Sequence, residues 1–295
     1  MTAGFEQWMK TVQAGMEQAL LQHLPSTRVV PQRLHEAMHY AVLDGGKRVR
    51  PLLVFAAGAL FDADERELAR AAAAVEMIHA YSLVHDDMPC MDDDALRRGK
   101  PTVHVKYGEA TALLVGDALQ AQAFEVLASG QLAPQRQLAM LRLLAQASGS
   151  LGMCGGQAID LASVGLQLSL DELEQMHRLK TGALLRASVL LGALAGKELS
   201  ATETQALDAY AAAIGLAFQV VDDVLDATAD SATLGKTAGK DAADNKPTYV
   251  SLLGLEASRA LAEKLRADAH RALEQFGEHA RHLRDIADLI VQRKA

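Results

Sequence analysis

Hydrophobic residues recur along this chain at helical spacing, and the alternation typical of strands is absent. Ala, Leu, Gln, Glu and Arg, all strong helix formers, dominate, while aromatics make up only 4%. This predicts helices at 4–22, 31–43, 51–60, 65–87, 108–128, 134–150, 152–165, 171–195, 201–227, 246–252, 255–275 and 279–293. Breaks fall at Pro25, Pro51, Asp62 to Asp64, Gly130 to Pro134 and Gly235 to Pro247, where turn-forming residues interrupt the helical ladder. Neither a low-complexity linker nor a fixed-period repeat divides the sequence. The economical reading is one all-α domain over residues 1–295.

One predicted helix ends in an unfavourable way. The apolar run Ala71 to Leu83 leads into five aspartates within nine residues, Asp86, Asp87, Asp92, Asp93 and Asp94. A helix C-terminus already carries partial negative charge, so carboxylates there call for cations. Aspartates offer the hard oxygen ligands that Mg²⁺ takes, and the following Arg97 and Arg98 have forked donors suited to phosphate. The competing interpretation is a solvated acidic loop. In a regular helix Asp86 and Asp92 would lie on different faces. Pro89 disfavours helical angles at Met88, so the helix should end there and let Asp92 swing back towards Asp86.

A second acidic set argues against the solvated-loop interpretation. FQVVDDVLD, residues 218–226, places Asp222, Asp223 and Asp226 inside an apolar helix, with Asp222 and Asp226 one turn apart on one face. Repelling carboxylates framed by Phe218, Val220, Val221, Val224 and Leu225 also require cations. Upstream, DGGKRVRP breaks one helix and opens the next at Pro51, which crowds Lys47, Arg48 and Arg50 at a helix N-terminus that favours anions. KTG at 180–182 sits within a helical segment, where Thr and Gly weaken the helix and predict a local distortion. GKT at 235–237 is not a phosphate-binding P-loop, because Asp230 stands where that pattern needs glycine.

The blocks GGKRVRP (45–51), HDDMPCMDDDALRRGKPT (85–102), GGQAIDL (155–161), KTG, and FQVVDDVLD with LGKTAGKD (234–241) occur in an order that resembles the head-to-tail trans-prenyl diphosphate synthases, the polyprenyl synthetase family. The resemblance covers nearly the whole chain. It implies an all-α isoprenoid synthase bundle whose two aspartate motifs face a central cavity. It also implies three Mg²⁺ ions, with Mn²⁺ as a possible substitute, held by Asp86, Asp87, Asp92, Asp222, Asp223 and Asp226. Lys47, Arg50, His79 and Arg98 are implied to hold isopentenyl diphosphate without metal. Arg97, Lys180, Thr181, Gln219, Lys236 and Lys246 are implied for dimethylallyl or geranyl diphosphate. Oxygens near Lys180, Thr181 and Gln219 would face the developing carbocation, and Gln157 and Asp160 would line the diphosphate pocket. Arg293 and Lys294 would close over the isopentenyl site, although a frayed terminus competes with that role.

Product length in this family follows pocket depth. Tyr81, with Ser82, lies just over one turn deeper than Asp86 and would form a floor that stops the chain at fifteen carbons. Tyr81 and the two-residue expansion in the first aspartate motif match bacterial members that make farnesyl diphosphate. A geranylgeranyl or longer-chain synthase is the same chemistry with a deeper pocket. A different class, the di-metal carboxylate bundle, is raised by Glu36/His39, Glu76/His79 and Glu174/His177. It would leave both aspartate motifs and both arginine blocks without a task.

Composition narrows the remaining classes. A net charge of −8 argues against broad nucleic-acid binding and requires a metal or a local basic patch for an anionic substrate. The N-terminus shows no basic region followed by an apolar core, so no signal peptide is expected. No apolar run reads as long enough to span a bilayer, so no stable membrane insertion is expected. Two cysteines, Cys90 and Cys154, form no framework and suit a reducing cytoplasm. Relatives are usually homodimers, and the apolar helix 108–128 is a candidate interface.

Overall fold

The computed structural model describes residues 2–43, 45–228 and 247–293. In chain order the helices are α1 (Ala3–His23), α2 (Gln32–Val42), α3 (Val49–Gly58), α4 (Glu65–Asp86), α5 (Val103–Tyr107), α6 (Glu109–Ala128), α7 (Pro134–Ser148), α8 (Met153–Ala162), α9 (Leu170–His177), α10 (Ala183–Gly196), α11 (Ala201–Thr228), α12 (Tyr249–Leu253), α13 (Leu255–Ala272) and α14 (Arg281–Gln292). The predicted helices are present, most with ends shifted by one to three residues. α5 and one hairpin had no counterpart in the expectation. The predicted helix at 171–195 is α9 and α10 joined by a single π turn, Arg178–Gly182, so the expected distortion falls on Lys180 and Thr181.

α4 is the central column. Residues Ala71 to Ile78 are buried on every side, apolar except for Glu76, whose charge is met by Arg48. Its first turn carries Glu65 and Glu67, and the Asp64 side chain accepts from Arg66 N at 2.8 Å, so charge and cap both favour starting there. α1, α2, α3, α6 and α10 pack around it. α10 approaches α3 closely because position 192 is glycine: a Cβ there would lie 2.1 Å from the Val54 carbonyl oxygen. α11 packs on α13 and α14, and the Tyr210 hydroxyl donates to the Leu283 carbonyl at 2.7 Å inside the core.

The sequence-based expectation about membrane-spanning runs needs one correction. The continuous helical stretch Leu170–Gly196 is long and apolar enough, by length and composition, to cross a bilayer. Leu184, Leu185 and the run from Ala187 to Ala193 are instead buried within the protein. The interior of a large bundle and a membrane make the same demand on composition.

Candidate active site

The C-terminus of α4 builds the first half of the site. The helix stops at Asp86, and the loop through Pro89 folds back over it. Asp92 N donates to the Asp86 carbonyl at 2.9 Å and Asp94 N to the Asp87 carbonyl at 3.2 Å. Loop amides thus satisfy helix carbonyls that would otherwise be orphaned, and Asp92 returns to Asp86 as predicted. Burial pushes the Asp86 carboxyl up to about 6; nearby Lys180 opposes this and Asp92 adds to it. Asp87 points elsewhere: Arg97 Nε and Nη2 grip its carboxylate at 2.5–2.9 Å.

The adjacent arginines part company through a turn. Leu96–Arg97 pairs antiparallel with Lys100–Pro101, and the two residues between them, Arg98 and Gly99, both have positive φ, 52° and 73°. That is the hairpin geometry that fits strand twist, and glycine accepts it without strain. Arg97 turns to Asp87, while Arg98 lies across Gly45 and Gly46. A Cβ on Gly46, itself at φ 90°, would lie 2.8 Å from Arg98 Nη2, so the glycine makes the approach possible.

Two cavities result. One, of about 570 Å³, is lined by Gly45, Gly46, Lys47, Arg50, His79 and Arg98, and also by Arg293 and Phe218. The four basic residues expected at the metal-free substrate site are therefore together. Burial and the surrounding Arg50, Arg98, Arg97 and Arg48 hold His79 well below its ordinary pKa, so it is neutral at physiological pH. Arg48 is not available to a ligand. It turns inward from a left-handed backbone (φ 51°) and bonds Glu76 at 2.6 Å and Glu17 at 2.5 Å.

The second cavity, about 360 Å³, lies beyond a shared wall of Arg50 and His79. Asp86, Lys180, Thr181 and Gln157 line it together with Tyr81, Ser82, Met91, Met153, Cys154 and Leu161. Lys180 is held by Asp160 at 2.5 Å. α8 can reach the π turn because position 156 is glycine; a Cβ there would fall 2.1 Å from Lys180 N. Gln157 is buried, and both polar atoms of its amide lack a protein partner, a cost that a polar ligand would relieve.

α11 brings the second aspartate set, and its members divide. Asp222 receives Arg293 at 2.6 Å, and the Arg293 guanidinium sits 4.0 Å over the Phe218 ring. Asp223 is buried and accepts from Tyr249 N at 2.7 Å, where α12 begins. Asp226 is buried as well. Gln219 lies with its amide 3.2 Å from His177 Nδ1 and does not line either cavity. Lys236, Lys246 and Lys294 lie outside the described residues.

The donor set fits magnesium of a particular kind. Among the described residues no three candidate side chains converge into a closed cage. Magnesium, however, keeps several waters and is held by one or two carboxylates plus substrate phosphates. Asp86 and Asp92, brought together at the end of α4, are carboxylates of that kind, and Asp222 on α11 is a third. The di-metal alternative fails on its own residues: Glu76 bonds Arg48, His39 bonds the Pro25 carbonyl at 2.8 Å, and Glu174 bonds Arg178.

Comparison with known proteins places the chain. The polyprenyl synthetase family model matches residues 31–286. A probable farnesyl diphosphate synthase of Sinorhizobium fredii is 54% identical over 281 residues, covering 94% of this chain and 85% of its relative. The farnesyl diphosphate synthase of Escherichia coli is 52% identical over 264 residues, 88% of each chain. An apo crystal structure of an FPP/GFPP synthase from Zymomonas mobilis superposes with a TM-score of 0.89 at 43% identity, over 99% of this chain and all of the other. The chain belongs to the polyprenyl synthetase family.

Proposed function

We propose that this protein, a single domain over 1–295, condenses isopentenyl diphosphate with dimethylallyl and then geranyl diphosphate to give farnesyl diphosphate. The observation that carries the reading is the pair of cavities sharing Arg50 and His79. One is basic with no carboxylate among its rim residues other than Glu76, and the other sets Asp86 beside Lys180 among largely apolar walls.

Lys47, Arg50 and Arg98 bind the isopentenyl diphosphate without metal, and neutral His79 supplies a hydrogen bond. Asp86, Asp92 and Asp222 would hold Mg²⁺, which when bound neutralises the allylic diphosphate and makes it a competent leaving group. Lys180, positioned by Asp160, stabilises the charge that develops as the C–O bond of the allylic substrate breaks. Thr181 and Gln157 line the space where the cation forms, and the apolar walls exclude water that would quench it. The double bond of isopentenyl diphosphate attacks the cation, forming the new C–C bond. Its proton passes to the departing diphosphate, leaving a chain five carbons longer. Tyr81 and Ser82 stand at the far end and limit growth to fifteen carbons.

We further infer a magnesium count of three, with Mn²⁺ as a substitute, a cytoplasmic setting, and a homodimer built on α6. Support for the dimer is the exposure of Leu113 (49%) and Leu114 (54%) on that helix. The deciding experiment incubates purified protein with labelled isopentenyl diphosphate and each allylic primer, with and without Mg²⁺. Magnesium-dependent fifteen-carbon product from both primers is expected; absence of condensation would refute the reading.

A further inference from the structure

The floor residue Tyr81 is held in place by three neighbours. His85 meets its ring edge-on, with centroids 5.8 Å apart at 75°. His85 is itself fixed: Nε2 donates to the Leu113 carbonyl at 3.1 Å, and the ring occupies a notch in α6 that exists because position 116 is glycine. A Cβ there would lie 1.9 Å from Nε2. The Tyr81 hydroxyl is engaged at its tip by Gln120 of α6 and by Cys154 of α8, whose Sγ lies 3.4 Å away. Either the phenol or the thiol can donate in the Tyr81–Cys154 contact, and when the sulfur is a thiolate only the phenol can.

Of these groups, Cys154 bears most directly on the cavity. Its thiol lines the same space as Tyr81, Met153 and Asp86 and is accessible from it. The Tyr81–Cys154 contact therefore ties α4 to α8 across the end of the cavity, where a growing hydrocarbon would press. A tyrosine in a bundle core can leave its place only by changing rotamer, and a bond at the ring tip opposes that swing with the longest lever. We propose that Cys154 is a product-length positioning residue: its thiol pins the Tyr81 hydroxyl and keeps the floor closed to chains longer than fifteen carbons. The inference rests on the prenyl-transfer reading above.

Two measurements test it. The first needs no turnover: the rate at which N-ethylmaleimide labels Cys154 is followed by peptide mass spectrometry, which separates it from Cys90. Without the phenol donor that stabilises its thiolate, Cys154 in Tyr81→Phe should react roughly two- to five-fold more slowly, the scale of one net hydrogen bond. An unchanged rate would overturn the contact. The second is the ratio of twenty- to fifteen-carbon product in wild type, Cys154→Ala, Cys154→Ser, Tyr81→Phe and the Cys154→Ala/Tyr81→Phe double variant. Cys154→Ala should raise the ratio roughly five-fold, and Cys154→Ser, which keeps a hydrogen-bonding group, should stay near wild type. The alanine substitution should have no effect in the Tyr81→Phe background. An unchanged ratio in Cys154→Ala, or a rise that persists with Tyr81→Phe, would overturn the proposal. No condensation by wild type, with slower labelling in Tyr81→Phe, would refute the enzymatic reading and the product-length role while leaving the contact standing.

Discussion

Asp86 sits where burial and a neighbouring carboxylate both resist its ionisation, and only cations offset them. Asp86→Ala should therefore lower turnover by about 10²–10³-fold or more with little change in thermal melting, because the loop is closed onto Asp86 through its backbone carbonyl and not its side chain. Retained activity would remove Asp86 from the metal set. Gly46→Ala makes a different demand: its Cβ would displace Arg98 and strain a positive φ. The expected result is a raised KM for isopentenyl diphosphate with the KM for the allylic primer little changed; an equal effect on both would contradict the placement of Arg98 at the first cavity alone. His177 gives a pH test. Burial lowers its pKa from 6.5 to about 4, so the unfolded chain binds the proton first. The stability it contributes is present above pH 6.5 and is lost as pH falls towards 4. Wild type should lose about 2 kcal/mol more than His177→Gln between pH 7 and pH 5, read from urea midpoints.

The π turn joining α9 and α10 is the element on which the cavity proposed for the allylic substrate depends. It places Lys180 and Thr181 opposite α8, and α8 can approach only through Gly156. Gly156→Ala should push the two apart, costing about 1–3 kcal/mol of stability and much of the activity together. Gly192→Ala, equally tight against Val54 but far from both cavities in its contacts, should cost stability with kcat preserved after correction for folded fraction. If both variants behaved alike, the close approach at α8 would have no special bearing on the site. Helix positions were readable in advance because amphipathic spacing and caps are local properties. The distortion at Lys180 was readable for the same reason, since Thr and Gly weaken a helix wherever they fall. α5 and the Arg97–Lys100 hairpin were not: five helical residues and two strand pairs are too short to leave a periodicity.

For the whole molecule, exposed Leu113 and Leu114 on α6 make a direct test of assembly. Replacing both with Glu should shift sedimentation from dimer to monomer, and a wild type that already sediments as a monomer would remove α6 as an interface. α6 also carries Gly116, Leu113 and Gln120, which hold His85 and Tyr81. Loss of the partner should therefore also broaden the product distribution.

The residue types, their order and their local spacing were enough to establish an all-helical chain, two acidic motifs, two arginine blocks and the family they resemble, because each depends on neighbours within a turn or two. Tertiary structure alone decided how those charges are divided. Arg48 is taken up by Glu17 and Glu76, Asp87 by Arg97, and Asp223 by the start of α12, although each looks in the sequence like the neighbour proposed to hold a ligand. Partners 10 to 31 residues apart or more, such as Glu17 with Arg48 and Lys180 with Asp160, leave no periodic signal. Whether a carboxylate or guanidinium serves a ligand or the fold depends on which opposite charge reaches it first in three dimensions.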